Sequence, residues 1–177
     1  MKLFSKEDRL IKNCLILLTS IIFILLTTLL PIVTKVPDIL FVNKIGFFIF
    51  TLYFGFVPSA LFVLFVQGIF LKFGLVDSLF SYALVINIIN AFFMSIFLGK
   101  KGPSIKPMIA SLVMMSLFSK PITLFILSLT TDTSSNIGSV FTIESIVAQG
   151  KAYGLSLIVS LIIYYLYESV LKVKRRN

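Results

Sequence analysis

Between Cys14 and Val33 the chain runs for 20 residues without a charged side chain, and between Ile45 and Leu71 it does so again for 27. A helix of about 20 apolar residues crosses the hydrocarbon core of a bilayer. It must be a helix or a closed barrel, because no water is present there to pair a free backbone donor or acceptor. Of the 177 residues 58% are apolar and 13% charged, with a mean hydropathy of +1.07, whereas soluble domains carry roughly 25% charged residues. The reading is an all-α membrane protein with a single integral domain over residues 1–177.

Further apolar stretches follow at 75–98, 107–129 and 145–167, so the count of spans turns on whether 45–71 is one bent helix or two. Gly55-Phe-Val-Pro58 interrupts it, and a proline disfavours helix in the residue before it. Charge decides between the counts, since Lys and Arg near span ends stay on the cytoplasmic side. Six spans (about 14–33, 39–54, 58–72, 75–98, 107–129 and 145–167) in a compact bundle leave both termini cytoplasmic. Eleven of the sixteen basic residues then lie on that side: Lys2, Lys6, Arg9 and Lys12, then Lys100, Lys101 and Lys106, then Lys172, Lys174, Arg175 and Arg176. Five spans would put the last two groups outside. The basic leader resembles that of a signal peptide, but its apolar run is too long and no small-x-small cleavage site follows, so Cys14–Val33 is expected as a retained span. The abundance of Ile, Phe, Lys and Asn points to an AT-rich bacterial genome, and so to the bacterial cytoplasmic membrane.

Several chemistries fall away. The chain has no His and one Cys, Cys14, which removes His-based metal sites, Cys/His nucleophiles and disulfide frameworks. No two of its seven carboxylates sit at a spacing suited to general acid/base work. No phosphate-cradling loop of the G-x-x-x-x-G-K-[ST] type is present, so ATP-driven work would need a partner. The net charge of +9 is cut up by the spans and forms no basic face for nucleic acid. The expectation is a non-enzyme without cofactor, embedded in lipid.

What remains is polar residues at membrane depth. Lys120 lies about nine residues from the outer end of span five, some 13 Å below the surface, where a charge costs several kcal/mol unless it faces a wet cavity or a partner. Pro121 follows it and is expected to bend the helix. Two readings stand: Lys120 holds an anion or carboxylate ligand, or it is absorbed by an internal ion pair or by snorkelling. On span four Tyr82, Asn87 and Asn90 share one broad face, with Ser81 beside them. The Asn pair is expected to bridge neighbouring helices, whereas Tyr82 stands equally as a ligand contact. Span six opens with Glu144, then Gln149 and Lys151 around Gly150-xxx-Gly154, a small-xxx-small contact. Gln67 on span three reads as a bridging amide. The Ser/Thr-rich segment from Thr130 to Thr142 is either a lid or a plain solvated hairpin.

This layout resembles the S components, the substrate-binding membrane subunits of energy-coupling factor vitamin transporters, and is similar above all to the thiamine-type members. There a motif near the outer end of helix four ends in Glu-Tyr, where this chain has Ser81-Tyr82. Their helix five carries an intramembrane Lys after a basic loop, as Lys120 follows Lys106 here. Their helix six opens with a Tyr and, five residues on, Asn-Gly, against Glu144 and Gln149-Gly150 here. The resemblance implies a subunit that binds a small vitamin-like solute in an outward-facing cavity through Lys120, Tyr82, Ser81, Glu144, Gln149, Lys151 and Asn87. It also implies delivery of that solute inward with a transmembrane coupling subunit and two ATPase subunits.

The chain departs from that pattern in two ways. Trp is absent and Ser81 stands where the carboxylate would be, which disfavours a cationic aromatic vitamin; Lys120 with Lys151 points to a ligand bearing a carboxylate. Helix one lacks the Ala-xxx-Ala patch used for docking the coupling subunit, and Gly55-FVP-Ser59 is the nearest small-residue pair. Two other families remain open. The rod-shape protein D scaffolds share Pro37-Asp38-Ile39 but would require an acid after the Gly-rich span. The membrane sensor modules share the spans but would require a separate output protein.

Overall fold

Gly55 divides the long uncharged stretch into two helices. Its φ of 78° is a left-handed conformation that a side chain would penalise and glycine adopts freely. The computed structural model describes residues 6–34, 42–74, 82–98, 104–130 and 142–173. Among these residues there are six helices and no strand: α1 (Lys6–Thr34), α2 (Val42–Phe54), α3 (Phe56–Lys72), α4 (Tyr82–Leu98), α5 (Ile105–Thr130) and α6 (Ile143–Val173). The helix count agrees with the six expected segments, but the boundaries differ. Helix resumes at Phe56 rather than at Pro58, which sits in the first turn of α3, where an N–H has no intrahelical acceptor to lose. Ser59 Oγ donates to the Gly55 carbonyl at 2.6 Å and secures the turn.

α1 begins at Lys6, so Arg9 and Lys12 are helical rather than a leader. α6 continues to Val173, which places Glu168 inside the helix instead of at its end. α5 runs on through Pro121. Residues 35–41, most of the 130–142 segment, the Lys100-Lys101 pair and Lys174 to Arg176 fall outside the described residues.

α2 is the hub. Every residue from Ile45 to Thr51 is buried, and a helix apolar on all sides belongs in an interior. Phe47 and Phe50 pack with Ile24, Phe62, Val66 and Leu84; Phe48 packs with Met94, Met115, Tyr153 and Leu157; Ile45 and Ile49 pack with Ile16. α2 thus touches α1, α3, α4 and α6, while α5 closes the ring between α4 and α6.

Contacts along these seams set the directions. Gly46 lies against Ser20 and Ile24 and Tyr53 against Lys12, so α1 and α2 are antiparallel. Phe56 meets Phe92 and Phe93 meets Phe118; Gly150 faces Ser116 and Gly154 faces Leu112. The helices therefore alternate up and down, and α1 begins where α6 ends. A Lys12–Glu168 salt bridge and a Thr19–Tyr167 hydrogen bond join those ends.

The polarity of the bundle is unusual for a water-soluble fold. Buried positions include Ser20, Thr51, Ser59, Gln67, Asn90, Ser111, Ser119, Ser156 and Ser160, while Leu18, Leu61, Phe65, Phe73, Phe125, Ile162 and Leu166 are at least half exposed. Small polar residues line the seams, where they let helices approach, and large apolar ones face outward. Among the described residues one helix segment, Ile146–Ser169, is long and apolar enough to cross a bilayer. Leu10–Leu26, Lys44–Phe54, Phe56–Lys72, Leu84–Leu98 and Ile105–Ser119 are shorter apolar helical segments.

Candidate binding site

Where α4, α5 and α6 meet α2, on the half of the bundle away from the termini, polar side chains form a continuous band. Gln149 and Tyr153 are four apart on α6 and so share a face. Gln149 Nε2 donates to the Tyr153 hydroxyl at 2.9 Å, and that hydroxyl donates to Ser119 Oγ on α5 at 2.9 Å. Ser119 in turn donates to the Met115 carbonyl at 2.6 Å and lies 3.4 Å from Asn90 Oδ1 on α4. Ser119 is fully buried and Asn90 is 1% exposed.

Two atoms of this band are unmatched. Among the described residues Asn90 Nδ2 and Gln149 Oε1 are buried with no hydrogen-bond partner. Turning the Asn90 amide over would let its nitrogen donate to Ser119 Oγ but would strand its oxygen instead, so one polar atom stays open in either assignment. An unmet buried polar group costs about 1–3 kcal/mol. A donor and an acceptor left open on either side of the Tyr153–Ser119 pair together present hydrogen-bonding capacity that a bound polar molecule or water would satisfy.

The band continues to α2. Lys44 Nζ donates to Asn87 Oδ1 on α4 at 2.5 Å, and Asn87 stands one turn before Asn90. Among the described residues no carboxylate pairs with Lys44, the salt bridge being that of Lys12 with Glu168 at the opposite end. At about 1.5 Å per residue, Gln149 lies about 9 Å from the start of α6, Asn90 about 12 Å from the start of α4 and Ser119 about 16 Å from the end of α5. All three helix ends are on the same side, so the band lies about 9–16 Å in from that side.

The expected site residues divide as follows. Asn87, Gln149 and the neighbouring Asn90 are in the band, and both Asn residues bridge helices. Glu144 and Lys151 are exposed on α6; Lys151 is two residues from both Gln149 and Tyr153, about 200° around the helix and so on its far face. Tyr82 opens α4 and Lys120 follows Ser119 in α5, but their side chains, like the whole of Ser81, lie outside what is described. The internal ion pair expected as one reading of Lys120 therefore falls outside the described residues as well. Gln67 is buried on α3. Sequence reasoning passed over Lys44 and Tyr153. The i, i+4 pairing of Gln149 with Tyr153 was the signal for the second; Lys44, the first charge before a wholly buried run, was the signal for the first.

A separate open groove of about 560 Å³ is lined by Met108, Ile158, Leu161, Ile162, Tyr165, Leu166 and Ser169. It lies on the α5–α6 face toward the termini and is apolar, with no part in the band. Compared with family models, curated proteins and solved structures, the chain matches none.

Proposed function

We propose that this protein is a multi-pass subunit of a bacterial cytoplasmic membrane that binds a small water-soluble solute, in the manner of the S components it resembles. The observation that carries this reading is the band through Asn90, Ser119, Tyr153 and Gln149, with two buried polar atoms open. Ser20, Ser95 and Ser111 also carry buried hydroxyls without a partner among the described residues; Asn90 and Gln149 differ in flanking one chain of polar contacts that crosses α4, α5 and α6. Three features support the membrane setting: the outward-facing leucines and phenylalanines, the serine-lined seams, and the shared end for both termini. The exposed apolar side chains face lipid, and the band sits below the outer headgroups.

The solute is a vitamin-like molecule bearing a carboxylate, since the chain offers amides, hydroxyls and Lys side chains but no Trp to stack a cationic ring. Transport would proceed with a transmembrane coupling subunit and two ATPase subunits, because this chain has no nucleotide-binding loop. The test is native mass spectrometry of the protein purified in mild detergent from cells grown on rich medium. A retained small acid, lost in Asn90→Leu with Tyr153→Phe, is the expected result. A folded wild-type protein that retains no small molecule and binds none of a panel of carboxylate vitamins would refute the reading.

A further inference from the structure

We infer that Lys44, on α2, supplies the positive charge that recognises the carboxylate of the bound solute, with Asn87 as the residue that positions it. This rests on the solute-binding reading above and names a residue that the family resemblance does not point to.

The geometry begins with depth. Gly46 is pressed against Ser20 and Ile24 of the antiparallel α1, and α1 continues for ten residues beyond Ile24 to Thr34. Lys44, two residues nearer that end, therefore lies about 12 Å below the end of α1 by helical rise. That is the level of Asn90 and Gln149. Lys44 is half-buried, and its ammonium group has three N–H donors, of which one is directed at Asn87 Oδ1 at 2.5 Å. The amide oxygen orients the ammonium without neutralising it. Among the described residues no carboxylate is paired to it, which leaves two of its donors for an anion. Asn87 and Asn90, three apart on α4, link this ammonium to the open amide of the band. A solute lying along α4 would set its acid group on Lys44 and its polar body against Asn90 and Gln149.

The test uses matched pairs of an acid and its carboxamide, nicotinate with nicotinamide and biotin with biotinamide, titrated onto the detergent-purified protein by calorimetry. A charged hydrogen bond contributes enough for about a 10- to 100-fold preference for the acid. That preference is expected to fall to about onefold in Lys44→Gln and to persist in Lys44→Arg. In Asn87→Asp an internal carboxylate would occupy the ammonium, so the preference is expected to be lost while an ion pair replaces the hydrogen bond and the fold is kept, as checked by an unchanged thermal midpoint.

Retention of the preference in both Lys44→Gln and Asn87→Asp, or its loss only on Lys120→Gln, would overturn the assignment and leave the solute-binding reading standing. A wild-type protein that binds acids and amides equally would do the same. Binding of neither member of any pair would overturn both.

Discussion

Replacing Gly46 with alanine is a test of the hub itself. A Cβ at position 46 would lie 2.5 Å from the Ser20 carbonyl oxygen and 2.8 Å from Ile24 Cγ1, whereas the closest favourable carbon–oxygen contacts are about 3.3 Å. Ser20 O is backbone and cannot rotate aside, so α1 and α2 must part by most of 1 Å along a seam that also holds Ile16, Ile45 and Ile49. Overpacking of this kind costs about 1–3 kcal/mol, with the backbone clash favouring the upper end. Against it stands the gain of about 1 kcal/mol for Gly to Ala within a helix. The net loss is about 1–2 kcal/mol, or about 2–8 °C in Tm for a chain of this size. Gly68 on α3 is the internal control, because a Cβ there meets nothing within 4 Å; Gly68→Ala keeps only the propensity gain and should raise Tm by about 2–4 °C. Thermal unfolding of both variants in one detergent, followed by far-ultraviolet circular dichroism, gives shifts of opposite sign if the packing is as described. A rise in Tm for both variants would refute the close approach of α1 to α2.

Two other outcomes follow from the same geometry. Tyr153→Phe removes the hydroxyl that accepts from Gln149 and donates to Ser119; it should cost about 1–3 kcal/mol in the same unfolding measurement. In a Cys14→Ser background, Thr142→Cys at the start of α6 and Ser104→Cys before α5, both exposed, should label from opposite sides of the membrane. An impermeant maleimide should reach Thr142→Cys in intact cells and Ser104→Cys only after lysis; equal labelling of the two would contradict the proposed topology.

Much of the fold was legible because it depends on local chemistry. A glycine ahead of a proline in an apolar run announces a break, although Gly55 makes the break and Pro58 only tolerates its place after it. Gly150-xxx-Gly154 marks a face that a neighbour approaches, and α5 does so at Ser116 and Leu112. The two asparagines of α4 were legible as bridges, since an amide in an apolar helix seeks a partner on another helix. The Gly46–Ser20 approach was not legible, because α2 has one glycine and α1 one serine, with no small-xxx-small spacing between glycines to mark the face, and the pairing exists only once the register between them is known. Tyr153 was hidden for a similar reason: its ring belongs to the apolar cluster with Phe48 and Met115, and only the hydroxyl joins the polar band.

Lys44 illustrates the hardest case. Beside Asn43 and at the edge of an uncharged run, it looks like a flanking cation that marks where a helix leaves the apolar layer. In the proposed topology it is held at depth by two facts that no single segment carries. α2 is only 13 residues long, about 20 Å by helical rise, and so cannot match a hydrocarbon core of about 30 Å. It is also enclosed by α1, α3, α4 and α6, so its shortfall is covered by longer neighbours. A short helix turned back at Gly55 and sheathed by longer ones must begin below their far ends. In the proposed topology its first charged residue then enters the protein interior at a level where headgroups cannot reach it. Snorkelling is the usual way out for a lysine near a helix end, but here the ammonium turns sideways to Asn87 on α4 instead. Lengthening α2 by one helical turn ahead of Lys44 would leave that contact in place, whereas inserting a turn between Lys44 and Gly46 would lift the charge by about 5 Å, away from Asn87 and Asn90. Only the second insertion should abolish acid preference, because depth on α4, and not the mere presence of a cation, is what ties Lys44 to the band.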